Sequence, residues 1–472
     1  MKNSLPKLEP VTSEWMFKII NDFNLQESLF ETYNSPINIH DLPSFGANIK
    51  EYQDILSTYK FKSRIFFARK ANKFQNLIQA AVENGIGIDT ASLQELQQCL
   101  ELNVDPTKLI STAAIKNTKL LEVAIKNQVL LVIDNKDELD QVAQIAEKLN
   151  IQALIGIRIS GFEYEGKKLM SRFGFDIDQV NDLMVSYFNE DDKHLFKIAG
   201  FHFHLDGYST AQRGEALHQT LDLVALLKNH FPLSFIDIGG GILMNYLKHQ
   251  NEWNAFKEEL KEAVLEKRDA ITYNNDGLGF TNRNGVIEGQ LATYPYYNEN
   301  SKASFLKEIL DVANAENKTV YQRLETLDIE LRLEPGRSLL NQVGITSARV
   351  AHRKIDARGN HLIGLEMNMS QLKSSSADFL LDPFATFKNP DSNAKPVAVY
   401  FTGAYCLERD VLLKRKIELP QLPEIGDTIT FVNTAGYMMH FFETEAHLFE
   451  RAKNLSISEN KEHFTVDDFK EE

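Results

Sequence analysis

The feature that most constrains this chain is a regular alternation of short apolar runs and amphipathic stretches, beginning near residue 63. Such alternation is typical of βα units, because the strands of a parallel sheet are buried on both faces. The apolar runs are SRIFFA (63–68), IGID (86–89), KLIST (108–112), VLLVI (129–133), ALIGIRI (153–159), GFHFHL (200–205), SFIDI (234–238) and IELRLE (329–334). Eight such units predict an α/β fold with a closed (β/α)₈ barrel of the TIM type. The alternative is an open doubly wound sheet, which has the same local pattern.

The C-terminal part has a different pattern. After residue 345, apolar and β-branched runs alternate with turn residues and no long helix intervenes, which predicts a second, C-terminal β domain of the sandwich or barrel kind. The early segment SPINIHD (35–41) predicts a strand that pairs into this later sheet. We therefore expect an N-terminal segment (1–45), a barrel (46–335) with an insertion at about 245–328, and a β domain (336–472).

Composition excludes several classes of protein. The chain is 43% hydrophobic and 25% charged, and it lacks an apolar run near the roughly 20 residues of a membrane span. Its net charge of −15, without a basic block, argues against nucleic acid as a partner. The N-terminus lacks the apolar region of a secretory signal, so we expect a cytoplasmic protein. The two cysteines, Cys99 and Cys406, are too few for a disulfide framework or a Cys-rich metal site, and we expect no metal.

Polar residues stand where the predicted barrel strands end. In a (β/α)₈ barrel the carboxyl ends of all strands meet on one face, and catalytic residues lie there. In chain order the candidates are Lys70, Asp89, Arg158, His204, Gly239, Gly240, Gly241, Glu334, Gly336 and Arg337.

Three of these features together indicate a pyridoxal 5′-phosphate (PLP) pocket. The glycine run after strand seven lets the backbone approach an anion closely, and Arg337 after strand eight can add a charge-assisted contact to a phosphate. Lys70 can form a Schiff base, and Glu334 can face a pyridine nitrogen. A carboxylate there keeps that nitrogen protonated, which strengthens the ring as an electron sink and favours decarboxylation.

At these residues the chain resembles the fold type III PLP-dependent decarboxylases, the group of diaminopimelate, ornithine and arginine decarboxylases with an alanine-racemase-like barrel. The resemblance covers roughly residues 30–445. Its motifs occur in order: FFARKAN (66–72), GIDTASLQEL (87–96), SRFG (171–174), HFHLDG (202–207), DIGGG (237–241), EPGR (334–337), GAYCLERD (403–410) and AGY (435–437).

The resemblance implies roles for these residues. Lys70 would hold PLP as a Schiff base that leads to a quinonoid intermediate, and His204 would stack on the cofactor ring. The phosphate would be held by Gly239, Gly240, Gly241, Gly336, Arg337 and Tyr437, while Asp89, Glu95 and Arg158 would support the pocket. Cys406 would return a proton across the interface of a homodimer with shared active sites.

Departures from the family pattern concern the tail of the substrate and the phosphate end of the cofactor. Leu407 follows the cysteine, where the family has an acid for a distal amine, and Glu408 lies one place later. HLDG replaces His-x-Gly-Ser, so that a hydroxyl is absent and Asp206 adds a negative charge. We therefore expect a larger or conjugated amino acid as the small-molecule substrate. Its tail would be met by residues among Leu407, Glu408, Asp410, Tyr273, Tyr294 and Tyr296.

The function predicted from the sequence is PLP-dependent decarboxylation of an amino acid or amino-acid conjugate. The alternatives are an amino-acid racemase or epimerase and a PLP-binding protein without turnover. Glu334 argues against the racemase, because the racemases of this barrel keep the pyridine nitrogen unprotonated with an arginine.

Overall fold

Eight parallel strands close into a barrel in the computed structural model of this chain, which describes residues 4–188, 194–374, 378–457 and 463–467. The strands are Ser63–Ala68, Gly87–Thr90, Leu109–Ser111, Leu130–Ile133, Ala153–Ser160, Phe196–His202, Phe235–Asp237 and Glu330–Leu333. We number them one to eight. Strand eight pairs with strand one in parallel, with Leu331 opposite Ser63, and this pairing closes the sheet. The closed barrel is confirmed, and the open sheet is wrong.

Helices follow the strands and begin at residues suited to cap them. Ser92, Asn117 and Asn135 each accept a hydrogen bond from a backbone N–H of the first turn, which would otherwise lack a partner. In the described part of the chain the α-helices are Glu14–Ile20, Phe23–Tyr33, Leu42–Leu56, Asn76–Glu83, Leu93–Glu101, Thr118–Lys126, Lys136–Leu149, Ile177–Tyr187, Thr210–Leu227, Gln250–Val264, Lys302–Asp311 and Val320–Leu327. Within the same residues no helix is both long and apolar enough to cross a bilayer.

Strand six ends earlier than the sequence predicts. The apolar run was expected to continue as a strand to Leu205, but the strand stops at His202. Phe203 and Leu205 are buried all the same, because the following loop turns into the barrel core. The apolar pattern at residues 203–205 therefore reflects burial and not a continuation of the strand. His204 belongs to the loop after strand six.

A second, mostly antiparallel sheet follows the barrel. Its strands are Ile37–His40, Gly344–Ile355, His361–Leu365, Phe384–Thr386, Val397–Thr402, Val411–Leu419, Thr428–Val432, Lys453–Ile457 and Phe464–Val466. The early strand Ile37–His40 pairs with Gly344–Ile355 on one side and with Lys453–Ile457 on the other. The predicted C-terminal β domain and its N-terminal strand are confirmed. The division of the chain at residues 45 and 335 stays a prediction.

The long segment between strands seven and eight is not a loose loop. It contains the helix Gln250–Val264, the hairpin of Phe280–Arg283 with Val286–Gly289, and the last two barrel helices. Its tyrosines Tyr294 and Tyr296 are 2% and 0% exposed, in one apolar core with residues of the β domain. They therefore join the segment to that domain, because both rings are enclosed by neighbouring side chains.

Candidate active site

Lys70 and Asp89 meet at the ends of strands one and two. Ala68 is opposite Asp89 in the parallel register, and a short 3₁₀ turn, Arg69–Ala71, then carries Lys70 over the barrel mouth. Lys70 Nζ donates to Asp89 Oδ2 at 2.7 Å, and Thr112 Oγ1 donates to Asp89 Oδ1 at 2.6 Å. The carboxylate is fully buried, whereas the lysine side chain is 36% exposed. Asp89 thus fixes an amine that still faces open space.

Burial and the nearby carboxylates shift the pKa of the Lys70 amine in opposite directions. Burial lowers the pKa of Lys70, but the carboxylates of Asp89 and Glu334 outweigh that effect and raise it above its usual value. Burial also raises the pKa of Asp89, Glu334 adds to the rise, and Lys70 opposes it. The free amine is therefore held as an ammonium until the charge at this face changes.

Glu334 lies at the end of strand eight beside two other buried titratable groups. Its Oε1 atom is 3.3 Å from His202 Nε2, and the group formed by Glu334, His202 and Asp237 has one ligand atom from each residue within 4.8 Å of the others. Among the described residues, Glu334 Oε1, Asp237 Oδ2 and both ring nitrogens of His202 lack a hydrogen-bond partner. Buried polar atoms are seldom left in this state, so the cluster is suited to a further polar group.

The protonation of this cluster is set mainly by burial. Burial raises the pKa of Glu334, with Lys70 and Arg158 opposing the rise, and raises the pKa of Asp237 well above its usual value. Burial and Arg158 lower the pKa of His202 well below its usual value. Burial thus favours the neutral form of all three groups, while Lys70 and Arg158 favour the carboxylate form of Glu334.

The glycine turn after strand seven forms a cradle without side chains. Gly239 and Gly241 have φ angles of +66° and +75°, which favour glycine. A Cβ on Gly239 would lie 2.5 Å from His204 Nδ1, and one on Gly240 would lie 2.5 Å from the Glu334 carbonyl oxygen. Gly240 N donates to His204 Nδ1 at 3.2 Å. The turn therefore joins the loop after strand six to the end of strand eight.

Arg337, just after strand eight, and Tyr437, after the strand Thr428–Val432, lie together. Arg337 is 8% exposed and donates to the Gly436 carbonyl at 3.0 Å and to Ser374 Oγ at 3.1 Å. Its guanidinium lies 4.6 Å from the ring centroid of Tyr294 and 5.2 Å from that of Tyr437. A Cβ on Gly336 would come 2.8 Å from Tyr437 Oη. Tyr294 packs against Arg337 with its ring buried, and the predicted contact of Tyr294 with the substrate stays a prediction.

Arg158 and Glu95 occupy the periphery of the pocket. Arg158 Nη1 is 3.7 Å from Asp134 Oδ1, and its guanidinium lies 4.2 Å from the ring centroid of Phe173. Burial lowers the pKa of Arg158, but Asp134 opposes that effect. Glu95 accepts a hydrogen bond from Ala91 N at 2.7 Å and closes the first turn of its helix. Arg158 is thus a charged neighbour of the pocket, whereas Glu95 serves the local backbone.

Cys406 lies exposed on a loop of the β domain, as do its neighbours Leu407 and Glu408. Asp410 holds this loop in shape, since its carboxylate accepts Tyr405 N and Met369 N, both at 2.7 Å. Asp410 is 3% exposed and its oxygens already bind the backbone, and its contact with the substrate stays a prediction. The structure leaves the thiol at the surface of the single chain.

Three residues of the site were not predicted from the sequence. His202 and Asp237 adjoin Glu334, and Arg213 lies beneath the glycine turn. His202 could have been found, because it precedes His204 by two residues and side chains two apart share a face of extended chain. Asp237 ends strand seven and could have been found in the same way. Arg213 gives no such signal, since it is one polar residue in a helix.

The pocket can be tested for its fit to a phosphorylated pyridine. The turn Gly239–Gly241 carries no side chains, and Arg213 lies beneath it. This combination suits a phosphate. A buried carboxylate oxygen without a partner suits a protonated ring nitrogen, and an amine that faces open space suits a covalent link. Lys70, Glu334 and the turn Gly239–Gly241 offer these features on one face of the barrel, so the residues fit PLP.

The sequence model of the pyridoxal-binding domain of pyridoxal-dependent decarboxylases matches residues 44–280. This chain belongs to that family. Its cofactor is therefore pyridoxal 5′-phosphate. The fold type III resemblance inferred from the motifs is confirmed.

Relatives and solved structures of this family match from about half to most of the chain. An uncharacterized protein of Sinorhizobium fredii, y4yA, is 28% identical over 91% of this chain and 89% of its own length. The diaminopimelate decarboxylase of Aquifex aeolicus is 24% identical over 86% and 83%. A biosynthetic arginine decarboxylase of Bacteroides thetaiotaomicron is 26% identical over 49% of this chain, but the match spans only 39% of that enzyme. The structure of the M. jannaschii diaminopimelate decarboxylase with L-lysine aligns at a TM-score of 0.70 and 16% identity over 93% and 91%, which shows a shared fold.

Proposed function

We propose that this protein decarboxylates an amino acid or an amino-acid conjugate with PLP. The observation that carries the proposal is the buried carboxylate of Glu334, which has an unpartnered oxygen and lies close enough to raise the pKa of Lys70. An acid at this point would keep the pyridine nitrogen protonated, which favours the loss of CO₂ over racemisation. Bound PLP would supply the electron sink for the pair of electrons left at the α-carbon.

The residues of the chain divide the remaining tasks. Lys70 would hold the cofactor covalently through its amine, and Asp89 would orient that amine through the 2.7 Å hydrogen bond. His204, fixed by Gly240 N, would lie against the ring. Gly239, Gly240 and Gly241 with Gly336, Arg337 and Tyr437 would bind the phosphate. His202 and Asp237 would set the protonation of Glu334.

Cys406 would act in the active site of a second copy. On its loop the apolar side chain of Leu407 is 44% exposed. Elsewhere in the β domain, Phe441 and Phe442 are 42% and 40% exposed. Exposed apolar side chains of this size favour burial in an interface. We propose a homodimer in which the thiol returns a proton to the α-carbon after CO₂ leaves.

The substrate class follows from what the Cys406 loop lacks. Leu407 occupies the place at which the family has an acid for a distal amine, and Asp410 is bound to the backbone. Solved neighbours are complexes with L-lysine, putrescine and agmatine, all cationic compounds. We propose that this chain prefers an amino acid whose tail carries no free amine, because Leu407 offers no charge to pair with one.

A panel of amino acids tests the proposal. The protein, supplied with PLP, would be incubated with lysine, ornithine, arginine, diaminopimelate, neutral amino acids and N-acylated diamino acids, and CO₂ release would be measured. We expect release from a member without a free distal amine. Fast turnover of lysine, ornithine or diaminopimelate would refute the substrate class and leave the decarboxylase intact.

The Lys70→Ala variant tests the chemistry, with Lys73→Ala as the matched control because Lys73 is an exposed lysine in the same segment. Borohydride reduction followed by mass spectrometry should place PLP on Lys70 in the wild type and in Lys73→Ala. The Lys70→Ala variant should carry no adduct and release no CO₂. An adduct without CO₂ release from any substrate would favour the PLP-binding protein without turnover, and inversion at the α-carbon would favour the racemase.

A further inference from the structure

A buried guanidinium lies next to the glycine turn, and no carboxylate of the described residues forms an ion pair with it. Arg213 is 1% exposed and belongs to the first turns of the helix Thr210–Leu227. Among the described residues, no Asp or Glu oxygen lies within the 4.0 Å that defines an ion pair with Arg213. A charge taken out of water is costly unless an opposite charge compensates it. We therefore expect an anion to bind near Arg213.

The hydrogen bonds of Arg213 join two loops of the pocket. Nη1 donates to the Gly240 carbonyl at 3.0 Å, and Nη2 donates to the carbonyls of Leu205 and Gly207 at 2.9 and 3.0 Å. In the described part of the chain, Nε has no hydrogen-bond partner although it is buried. The backbone carbonyls bind Nη1 and Nη2 but carry no net charge. The side chain therefore fixes the geometry of the turn and keeps its charge.

The positive charge lies immediately beneath the turn. A Cβ on Gly241 would be 2.5 Å from Arg213 Nη2, so only glycine allows this approach without a shift. Burial lowers the pKa of Arg213 to about 10, with Tyr208 and Asp206 opposing the effect, which leaves the guanidinium charged at neutral pH. Asp206 is itself exposed, and its carboxylate accepts a hydrogen bond from Gly207 N.

We propose that Arg213 is a second cationic determinant of phosphate binding, a positioning residue that holds the turn Gly239–Gly241 and supplies behind it a positive charge with which no carboxylate of the described residues forms an ion pair. This inference rests on the proposed phosphate site. It accounts for the HLDG segment, in which no serine hydroxyl is available at residues 205–207. A cation beneath the turn takes over the attraction that such a hydroxyl would supply.

The test compares PLP with pyridoxal, the same ring without phosphate. The apoproteins of the wild type, Arg213→Met, Arg213→Lys and Arg213→Gln would be titrated with each compound, and dissociation constants would be read from fluorescence quenching. Arg323→Met is the matched control, because it removes an arginine from an outer helix where it pairs with Asp222. We expect Arg213→Met to weaken PLP binding at least tenfold and pyridoxal binding less than threefold. Arg213→Lys should recover more affinity for PLP than Arg213→Gln.

Equal losses for PLP and pyridoxal, or no loss, would overturn the role of Arg213 while the proposed function stands. A wild type that binds neither compound would instead refute the proposed function. If every replacement unfolds, hydrogen exchange on the wild-type apoprotein with inorganic phosphate decides the question. Protection of both 205–213 and 239–241 would support the inference, and protection of 239–241 alone would overturn it.

Discussion

Gly241→Ala is the substitution for which the structure gives the sharpest expectation. The residue combines a φ of +75° with a Cβ position 2.5 Å from Arg213 Nη2. Gly166 provides the matched control: its φ is +72°, and a Cβ there would meet no heavy atom within 4 Å. Both alanines pay the same backbone cost, so the difference between the two variants isolates the contact with the guanidinium.

The magnitude can be worked from these contacts. Placing alanine in the left-handed region costs roughly 1–2 kcal/mol in either variant. In Gly241→Ala the guanidinium must also move, and Nη2 would lose its bonds to Leu205 and Gly207. A buried hydrogen bond to a charged group contributes about 1.5–3 kcal/mol. We therefore expect Gly241→Ala to lower the free energy of unfolding by roughly 2–4 kcal/mol more than Gly166→Ala, since partial relaxation recovers some of the loss.

Urea denaturation of the apoproteins, followed by far-UV circular dichroism, measures this difference. The comparison requires equal denaturant slopes, because a changed slope would indicate a change in the unfolded or folded state rather than in stability. Gly241→Ala should unfold at clearly lower urea than Gly166→Ala and should bind PLP more weakly. Equal midpoints for the two variants would refute the reasoning, because they would show that Arg213 yields without losing its contacts.

Three further predictions concern other parts of the chain. His40 is fully buried and stacked on Phe74, and burial lowers its pKa to about 4 from 6.5. The unfolded state therefore binds the proton first, and the stability from neutral His40 is present above the unfolded pKa and lost as the pH falls towards about 4. The free energy of unfolding, measured by urea denaturation, should fall by about 2 kcal/mol by about pH 5 through this group. A His40→Asn variant should not show this part of the loss. Lys116→Met should destabilise the fold by roughly 3–5 kcal/mol. The substitution removes the amine that lies 2.7 Å from the Glu138 carboxylate and leaves that buried carboxylate without its ion-pair partner. The double variant Lys116→Met/Glu138→Leu should recover most of that loss, and a failure to recover would contradict the pairing. Cys406→Ala should keep PLP binding but lose most product formation, and full product formation would refute the role of the thiol.

Much of the site could be predicted from the order of the residues. Lys70, Asp89 and Glu334 each lie within two residues of the end of an apolar strand, and the carboxyl ends of parallel strands share one face whatever the details of packing. Glycines that precede a helix-rich segment and an arginine after the next strand likewise indicate an anion site. The strand count and the motifs therefore predicted a PLP pocket at this face without knowledge of any contact.

Other features depended on how the elements pack. Tyr294 fills a core between the long segment and the β domain, and sequence periodicity does not report which domain a loop will face. Arg213 is one arginine in the helix Thr210–Leu227, and its contact with Gly240 exists because the barrel places strands six and seven side by side. The 3.3 Å approach of His202 to Glu334 arises in the same way, from strands far apart in sequence. The sequence by itself thus determined the fold class, the cofactor and the residues at the strand ends, because these follow from local pattern. Only the tertiary structure decided which buried charges meet, because that depends on the closure of the barrel.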